Sequence, residues 1–369
     1  MTYKDESRIE VYGHGGDIET AEATFGRRAA SFLDFSANIN PLGPPADVIT
    51  VLQESLPAVI RYPDPGHRRF KDLLSTRIGI ARERLMAGNG AAECMALLLL
   101  GLSPKVVGVV DPCFSEYREL SFKFGADVRS ITGHSGQDWR AGRDQVIELV
   151  QACDLLFLGQ PNNPNGVQYD LDDIRAIAEA AERKKTWLVL DEAFIDFIPP
   201  EHRHTLLPEL HRYRQTVIIR SMTKFYAIPG LRLGYTVGHP DVIRAMAAKQ
   251  VSWSVNGLAL LAGEACLGSG EAYERRTQEL IRTQREQLAE GLRAAGFVVA
   301  PSEVNYLLVE VPYPWSAAAF QQELGTRGVL IRSCAMYPGL GPQHIRVAVK
   351  DAEANATLLA VVHEVMDGV

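Results

Sequence analysis

Long apolar runs are scarce in this sequence of 369 residues. The longest nearly apolar run is MALLLLGL, which starts at Met95 and is far shorter than the roughly 20 residues that cross a bilayer. The opening stretch MTYKDESRIE also lacks the apolar centre of a secretion signal. We therefore expect no membrane partner and a cytoplasmic location.

Cysteine is also scarce, and positive charge is not in excess. The five cysteines are scattered without CxxC spacing: Cys94, Cys113, Cys153, Cys266 and Cys334. Such a set favours neither a disulfide framework nor a zinc site, so we expect small buried side chains and no metal. The formal net charge of -7 gives no electrostatic reason to expect nucleic acid as a partner.

The chain has the composition of a globular protein, with 46% hydrophobic and 22% charged residues. Short apolar runs alternate with longer helical patterns. The runs are KVVGVVD, DLLFLGQ, TWLVLD, TVIIRS and LRLGYTVG. Such runs are typical of buried strands in a mostly parallel sheet, and the alternation with helices predicts an α/β fold.

The pattern changes after about residue 270, where a long charged helix begins. Strands are predicted in NYLLVEV, GVLIRS and HIRVAVK, followed by a closing helix from Ala352. We divide the chain into an N-terminal arm over residues 1–45, a large domain over 46–268 and a small α+β domain over 269–369. The length of the chain allows such a division, and we expect the arm to pack on the small domain.

Polar residues follow several predicted strands. Asp191 closes one strand, Asn163 follows another, and Ser221 and Lys224 follow a third. In α/β sheets, ligands bind outside the carboxyl ends of the strands. The stretch AGNGAAE, residues 87–93, adds glycines and free N–H groups at a predicted helix start, which suits a phosphate.

These parts match the needs of pyridoxal 5′-phosphate. A lysine amine can bind its aldehyde, because burial and nearby cations lower the pKa of lysine toward a reactive free amine. An aspartate can keep the ring nitrogen protonated, and the glycine turn can hold the phosphate. Lys224 and Asp191 are therefore the candidate catalytic residues.

The motifs PNNPNG, DEAFIDF and SMTKFYAIPGLRLGY resemble those of the fold-type I, aspartate-aminotransferase-like enzymes that use pyridoxal phosphate. The resemblance covers nearly the whole chain. It implies a large domain with a mostly parallel seven-stranded sheet flanked by helices, a smaller C-terminal α+β domain and an N-terminal arm. The cofactor contacts that it implies, besides Lys224 and Asp191, are Gly90, Ala91, Phe114, Asn163, Ser221, Thr223, Arg232 and Tyr62.

Individual roles follow from the same resemblance. Asn163 is expected at the ring 3′-oxygen and Phe114 against the ring face. The residues expected to hold the cofactor phosphate are Gly90, Ala91, Ser221, Thr223 and Arg232. Tyr62 is expected to reach the cofactor of a partner subunit, which implies a homodimer with shared active sites. Arg346, in IRVAVK, matches the arginine that binds the substrate carboxylate in these enzymes.

A second anion pocket is suggested near the two ends of the chain. Backbone N–H groups at Gly15 and Gly16, together with His14, Asn38 and Arg332, could bind a substrate phosphate. The alternative is that HGG is only a flexible turn and NINP an Asx-type turn. The resemblance favours the pocket, and with it a small phosphorylated amino acid as substrate.

The resemblance implies decarboxylation of threonine O-3-phosphate, with serine phosphate differing by one methyl group. The main alternative is an aminotransferase acting on histidinol phosphate, although such enzymes usually have tyrosine where this chain has Phe194. Asp17 is a second departure, because the decarboxylases that these motifs resemble have asparagine at this position. Its carboxylate would repel a substrate phosphate unless Asp17 lies outside the pocket. A pyridoxal-phosphate-binding transcription regulator is a remote alternative, since we find no basic DNA-binding segment.

Overall fold

The structure is a computed structural model that describes Ile9 and residues 14–368. Its strands, in chain order, are β1 (Leu33–Asp34), β2 (Leu85–Gly88), β3 (Val106–Asp111), β4 (Asp127–Thr132), β5 (Leu155–Gly159), β6 (Trp187–Asp191), β7 (Thr216–Ser221), β8 (Gly234–Val237), β9 (Val298–Val299), β10 (Tyr306–Glu310), β11 (Val329–Leu330), β12 (Arg332–Ser333) and β13 (His344–Ala348).

The α-helices are α1 (Ile18–Phe25), α2 (Ala46–Ser55), α3 (Arg68–Ile78), α4 (Ala91–Leu102), α5 (Ser115–Lys123), α6 (Arg143–Gln151), α7 (Leu171–Lys184), α8 (Pro240–Ala247), α9 (Gly257–Gly268), α10 (Gly270–Ala294), α11 (Ala317–Thr326) and α12 (Ala352–Asp367). No helix within the described residues is both long and apolar enough to cross a membrane.

The largest sheet has seven strands in the order β2-β8-β7-β6-β5-β3-β4. Only β8 runs antiparallel to its neighbours, so the other strands share one direction. Helices pack on the sheet, and its central strands are buried along their whole length. The α/β class and the mostly parallel seven-stranded sheet are confirmed.

Local sequence explains why the helices form where they do. In α7, Asp172 and Asp173 lie in the first turn and Arg183 and Lys184 in the last, which complements the helix dipole. The apolar run MALLLLGL belongs to α4, which packs between the sheet and α8 and buries Cys94, Met95 and Leu97–Leu99. That helix starts directly after the glycine turn and therefore points its free N–H groups at the sheet edge.

The C-terminal residues form a four-stranded antiparallel sheet in the order β12-β13-β10-β9, packed against α10 and α11, which in turn contact α12. The prediction of one strand over GVLIRS is wrong. Val329–Leu330 pair in parallel with Leu33–Asp34, while Arg332–Ser333 pair with β13. The chain changes strand partners at Ile331, because β1 is available to pair before this residue and β13 after it.

The pairing of β1 with β11 attaches the N-terminal segment to the C-terminal part of the chain. Phe35 continues the attachment, since its N–H donates to the Leu330 carbonyl and its carbonyl accepts from the Ala348 N–H. Part of the predicted arm, residues 1–8 and 10–13, lies outside the described residues. The boundaries of the three units stay a prediction.

Candidate active site

A cavity of about 600 Å³ opens where β5, β6 and β7 end. It brings together most of the residues that the sequence nominated: His14, Gly15, Gly16, Asn38, Ala91, Phe114, Asn163, Asp191, Lys224, Arg232, Arg332 and Arg346. Gly90, Ser221 and Thr223 are buried beside these lining residues. Tyr62 lies elsewhere and lines a separate cavity.

Lys224 follows β7 and points its Nζ toward the cavity, 6.0 Å from the ring centroid of Phe194. Burial lowers the pKa of Lys224 to about 8. The positive charges of Arg232 and Arg346 act in the same direction, and the negative charge of Asp191 opposes them. A lysine with this pKa presents a substantial share of neutral, nucleophilic amine near neutral pH.

Asp191 ends β6 and is buried. Its Oδ1 accepts from the Ala193 N–H at 3.0 Å and its Oδ2 accepts from the Tyr117 hydroxyl at 2.6 Å. Burial raises the pKa of Asp191, and these hydrogen bonds together with Lys224 oppose the rise. Within residues 14–368, no Lys, Arg or His nitrogen lies within 4.0 Å of this carboxylate. The group is therefore suited to a cationic ring nitrogen supplied by a cofactor.

The glycine turn before α4 forms a close pair with Arg232. Gly90 has φ +83°, and a Cβ at this position would lie 2.6 Å from Nη2 of Arg232. Only glycine fits there. Nearby, the Ser221 and Thr223 hydroxyl oxygens are 2.7 Å apart. A helix start, a guanidinium and two hydroxyls form a donor set that fits a phosphate monoester.

Arg346 connects the C-terminal sheet to the large sheet. Its Nη1 donates to Asn163 Oδ1 at 2.7 Å, and its Nη2 donates to the Ser36 carbonyl at 2.8 Å. Its Nε is buried with no hydrogen-bond partner among the described residues. The guanidinium also lies over the ring of Tyr306, with Cζ 5.5 Å from the centroid. A buried cation with an unused donor is suited to an anionic substrate group.

Arg332 and Arg346 are register partners on the antiparallel strands β12 and β13. Their side chains therefore leave the same face of the sheet, and both line the cavity. Arg332 is only 1% exposed. Its Nη2 lies 3.2 Å from the Met336 sulfur.

The N-terminal residues close one side of the cavity. His14 Nε2 lies 3.0 Å from Glu116 Oε1, and the hydrogen bond from His14 lowers the pKa of Glu116. Gly15 packs so tightly that a Cβ would lie 2.3 Å from the Ser36 carbonyl oxygen. The Gly16 N–H donates to Ser36 Oγ at 2.8 Å, so this predicted phosphate donor already has an acceptor. Asn38 Oδ1 is buried with no partner among the described residues.

The structure shows the role of Asp17 and adds two residues, Glu116 and Tyr117, to the cavity lining. Asp17 caps α1, where it accepts from the Thr20 N–H and hydroxyl, and it does not line the cavity. Tyr117 and Glu116 do line it, although neither was nominated. Their position in the first turn of α5, close to the candidate cofactor residue Phe114, is the sequence feature that could have identified them.

Tyr62 is 80% exposed and stacks on Trp253, with ring centroids 4.5 Å apart. Around it lies an exposed apolar surface that includes Val59, Ile60 and Val251. The adjoining cavity has a volume of about 960 Å³. Within one chain, Tyr62 therefore takes no part in the cavity around Lys224. Among the described residues, no group of three His, Cys, Asp or Glu side chains could hold a metal ion.

Comparison with known proteins gives relatives along nearly the whole chain. The sequence is 38% identical to threonine-phosphate decarboxylase of Salmonella typhimurium, over 96% of this chain and 97% of that protein. It is 32% identical to histidinol-phosphate aminotransferase of Symbiobacterium thermophilum, over 94% of each chain. Among solved structures, histidinol-phosphate aminotransferase from Clostridium acetobutylicum matches with a TM-score of 0.85 and 28% identity, over 91% of this chain and all of that one.

The family described as aminotransferase class I and II matches residues 30–362. This range includes the sheet, the lysine after β7 and both arginines of the C-terminal sheet. The resemblance found in the sequence motifs is thereby confirmed. The chain belongs to the aminotransferase class I and II family.

Proposed function

We propose that this protein is a pyridoxal-phosphate-dependent decarboxylase. Its substrate is L-threonine O-3-phosphate, and its products are carbon dioxide and (R)-1-amino-2-propanol O-2-phosphate, which is used to assemble the nucleotide loop of cobalamin. The observation that carries the proposal is the pair Arg332 and Arg346, which lie opposite each other on neighbouring strands and line the cavity of Lys224.

Arg346 favours an acidic ligand, because an uncompensated buried charge is costly. Among the described residues, no Asp or Glu oxygen lies within 4.0 Å of Arg346. An amino acid with a phosphate ester offers a carboxylate to Arg346 and a phosphate to the adjacent Arg332 in one molecule. The identity of 38% to a threonine-phosphate decarboxylase supports the same substrate.

The cofactor site uses residues from five segments of the chain. Lys224 would hold the aldehyde carbon, Asp191 the ring nitrogen and Asn163 the ring 3′-oxygen. Phe114 would pack against the ring, and Gly90, Ala91, Ser221, Thr223 and Arg232 would surround the phosphate. When bound, pyridoxal phosphate would supply an electron sink for loss of the carboxylate from the substrate Cα.

The protein's own groups orient the substrate and move the proton. Arg332, His14 and Asn38 hold the substrate phosphate, and Gly15 and Gly16 shape the turn that carries His14. Arg346 holds the carboxylate. In its ammonium form, Lys224, whose pKa is about 8, can donate the proton that takes the place of the carboxylate at the substrate Cα and is left as the neutral amine. The buried rings of Phe194 and Tyr306 give the cavity an apolar wall near Lys224.

Histidinol-phosphate aminotransferase is the second candidate, because relatives with this name match at 32% identity over 94% of the chain. Phe194 argues against it. At this position the aminotransferases of the family usually have a tyrosine hydroxyl close to the ring 3′-oxygen, whereas Phe194 packs edge-on against Tyr306 with ring centroids 5.0 Å apart. Serine phosphate remains an alternative substrate, since one methyl group changes binding by only about 1–3 kcal/mol.

The decisive experiment offers the purified protein both reactions. With pyridoxal phosphate and O-phospho-L-threonine, we expect carbon dioxide and the amino alcohol phosphate in equal amounts. With histidinol phosphate and 2-oxoglutarate, we expect no glutamate above background. Formation of glutamate without carbon dioxide would assign the aminotransferase reaction instead. O-Phospho-L-serine in a third reaction measures the preference for the methyl group.

We also propose that two copies form a homodimer in the cytoplasm. The exposed apolar surface around Tyr62 supports the dimer, since stable interfaces bury surfaces of this kind. Tyr62 would then contact the cofactor phosphate of the partner subunit. The five free, buried cysteines are typical of a reducing compartment.

A further inference from the structure

Tyr117 is buried on α5, with its hydroxyl directed at Asp191. It is 1% exposed, and its hydroxyl donates to Asp191 Oδ2 at 2.6 Å. One face of its ring stacks on Phe157 of β5, with centroids 5.0 Å apart and an angle of 7° between the planes. The hydrogen bond and the stacking contact together fix the direction of the hydroxyl toward Asp191.

The same ring touches another residue proposed to bind the cofactor. Phe114 meets Tyr117 edge-on, with centroids 5.7 Å apart and an interplanar angle of 86°. Phe114 caps the start of α5, so the two aromatic rings lie one helical turn apart. Tyr117 thus connects the residue that stacks on the cofactor ring with the residue that pairs its nitrogen.

Burial and the nearby negative charge of Asp191 keep the Tyr117 hydroxyl protonated, so it acts as a hydrogen-bond donor. Both effects raise the pKa of Tyr117 well above its usual value. Asp191 then accepts two hydrogen bonds, one from Tyr117 and one from the Ala193 N–H. Both stabilise the ionised carboxylate against the cost of its burial.

We infer that Tyr117 is a positioning residue whose hydroxyl holds the Asp191 carboxylate ionised and aimed at the ring nitrogen of the cofactor. This inference rests on the proposed function, because it requires the cofactor to be pyridoxal phosphate. The remaining titratable groups near Asp191 are Lys224 after β7, Cys94 on α4 and Tyr306 on β10. Burial raises the pKa values of Cys94 and Tyr306, so of these three only Lys224 changes charge near neutral pH.

The test uses Tyr117→Phe, which removes one oxygen and keeps the stacked ring. Equilibrium dialysis of the apoprotein against pyridoxal phosphate measures the dissociation constant, without recourse to activity. We expect the constant to rise about tenfold, as for loss of a hydrogen bond to a charged group. We also expect the loss of binding at acid pH to begin at a higher pH, because the pKa of Asp191 rises when the donor is removed.

Tyr169→Phe is the matched control. Tyr169 is buried in the same domain, and its hydroxyl accepts from the Ala141 N–H at 3.2 Å without lining the cavity. We expect this variant to bind the cofactor like wild type. An unchanged constant and pH profile in Tyr117→Phe would overturn the inference, as would equal losses in both variants. If the wild-type protein binds no pyridoxal phosphate, it is the proposed function that fails.

Discussion

Arg346 donates a hydrogen bond of 2.7 Å to Asn163, although the two residues are 183 positions apart in the sequence. One bond thus links the proposed carboxylate site on β13 to the proposed site of the ring 3′-oxygen after β5. A bound carboxylate can use the free Nε of Arg346 and compete with Asn163 for Nη1. The substrate and cofactor sites therefore share one guanidinium group.

Arg346→Lys should lower kcat/KM for O-phospho-L-threonine by about 100-fold, since lysine lacks the planar fork that binds a carboxylate through two hydrogen bonds. The dissociation constant for pyridoxal phosphate should change much less. Release of carbon dioxide and equilibrium dialysis measure the two quantities. Arg327→Lys, which alters a surface ion pair with Glu323, is the control. A variant with wild-type kcat/KM would exclude Arg346 as the carboxylate site.

Capture of pyridoxal phosphate by the apoprotein should accelerate as pH rises. The reactive form of Lys224 is the neutral amine, and its pKa is about 8. Below that pKa the rate should grow about tenfold per pH unit, and above it the rate should level off. Stopped-flow absorbance measures the rate. Arg232→Gln should move the midpoint upward, because the charge of Arg232 lowers the pKa of Lys224. A midpoint near 10 in the wild type would contradict this environment.

Arg332→Met should weaken binding of the phosphorylated substrate and leave the cofactor bound. Loss of a hydrogen bond to a charged group costs about 1.5–3 kcal/mol, so KM should rise by about 10-fold or more. Arg332→Lys should recover part of the loss by restoring the charge. Circular dichroism checks that both variants fold. An unchanged KM in Arg332→Met would remove Arg332 from the phosphate site.

Ile60→Asp should separate the subunits, because it places a charge in the exposed apolar surface around Tyr62. Sedimentation velocity should show a monomer with weaker cofactor binding. Tyr313→Asp, at another exposed aromatic residue outside that surface, should remain a dimer. Tyr62→Phe should stay dimeric and lose only affinity for pyridoxal phosphate. A monomeric wild-type protein would contradict the shared active site.

Arg220→Met should destabilise the fold without a direct effect on the site. Arg220 donates to Glu192 Oε2 through Nε at 2.9 Å and through Nη2 at 2.8 Å, and both residues are buried. Removing one partner leaves a buried charge and costs about 3–5 kcal/mol. The midpoint of urea denaturation should fall accordingly. Arg220→Met combined with Glu192→Leu should recover most of the loss, and a single variant as stable as wild type would contradict the argument.

The sequence predicted the parallel strands β3, β5, β6 and β7, because their apolar runs are buried on both faces. It did not predict β4, whose residues are exposed or half-buried. Burial on both faces is also the reason why the sequence did not indicate the direction of β8. A strand that is buried on both faces has the same composition whether it runs with its neighbours or against them. Its antiparallel pairing with β2 and β7 depends on contacts far along the chain.

The segment GVLIRS shows a second limit of sequence reasoning. Its residues have the composition of one strand, but only the availability of β1 and β13 decides that Val329–Leu330 and Arg332–Ser333 join different sheets. The local sequence pattern does not determine which sheet each half of this segment joins. Tyr117 was missed for a similar reason, since its contact with Asp191 spans 74 positions of the sequence.

The parallel pairing of Leu33–Asp34 with Val329–Leu330 has a consequence for synthesis on the ribosome. The segment that carries His14 and Asn38 is translated almost 300 residues before its strand partner. A nascent chain that stops before Val329 already contains Lys224, Asp191 and the glycine turn, but it has neither Arg332 nor Arg346. On the proposed site assignment, cofactor capture can therefore precede synthesis of β11, β12 and β13, whereas recognition of the phosphorylated amino acid requires these strands.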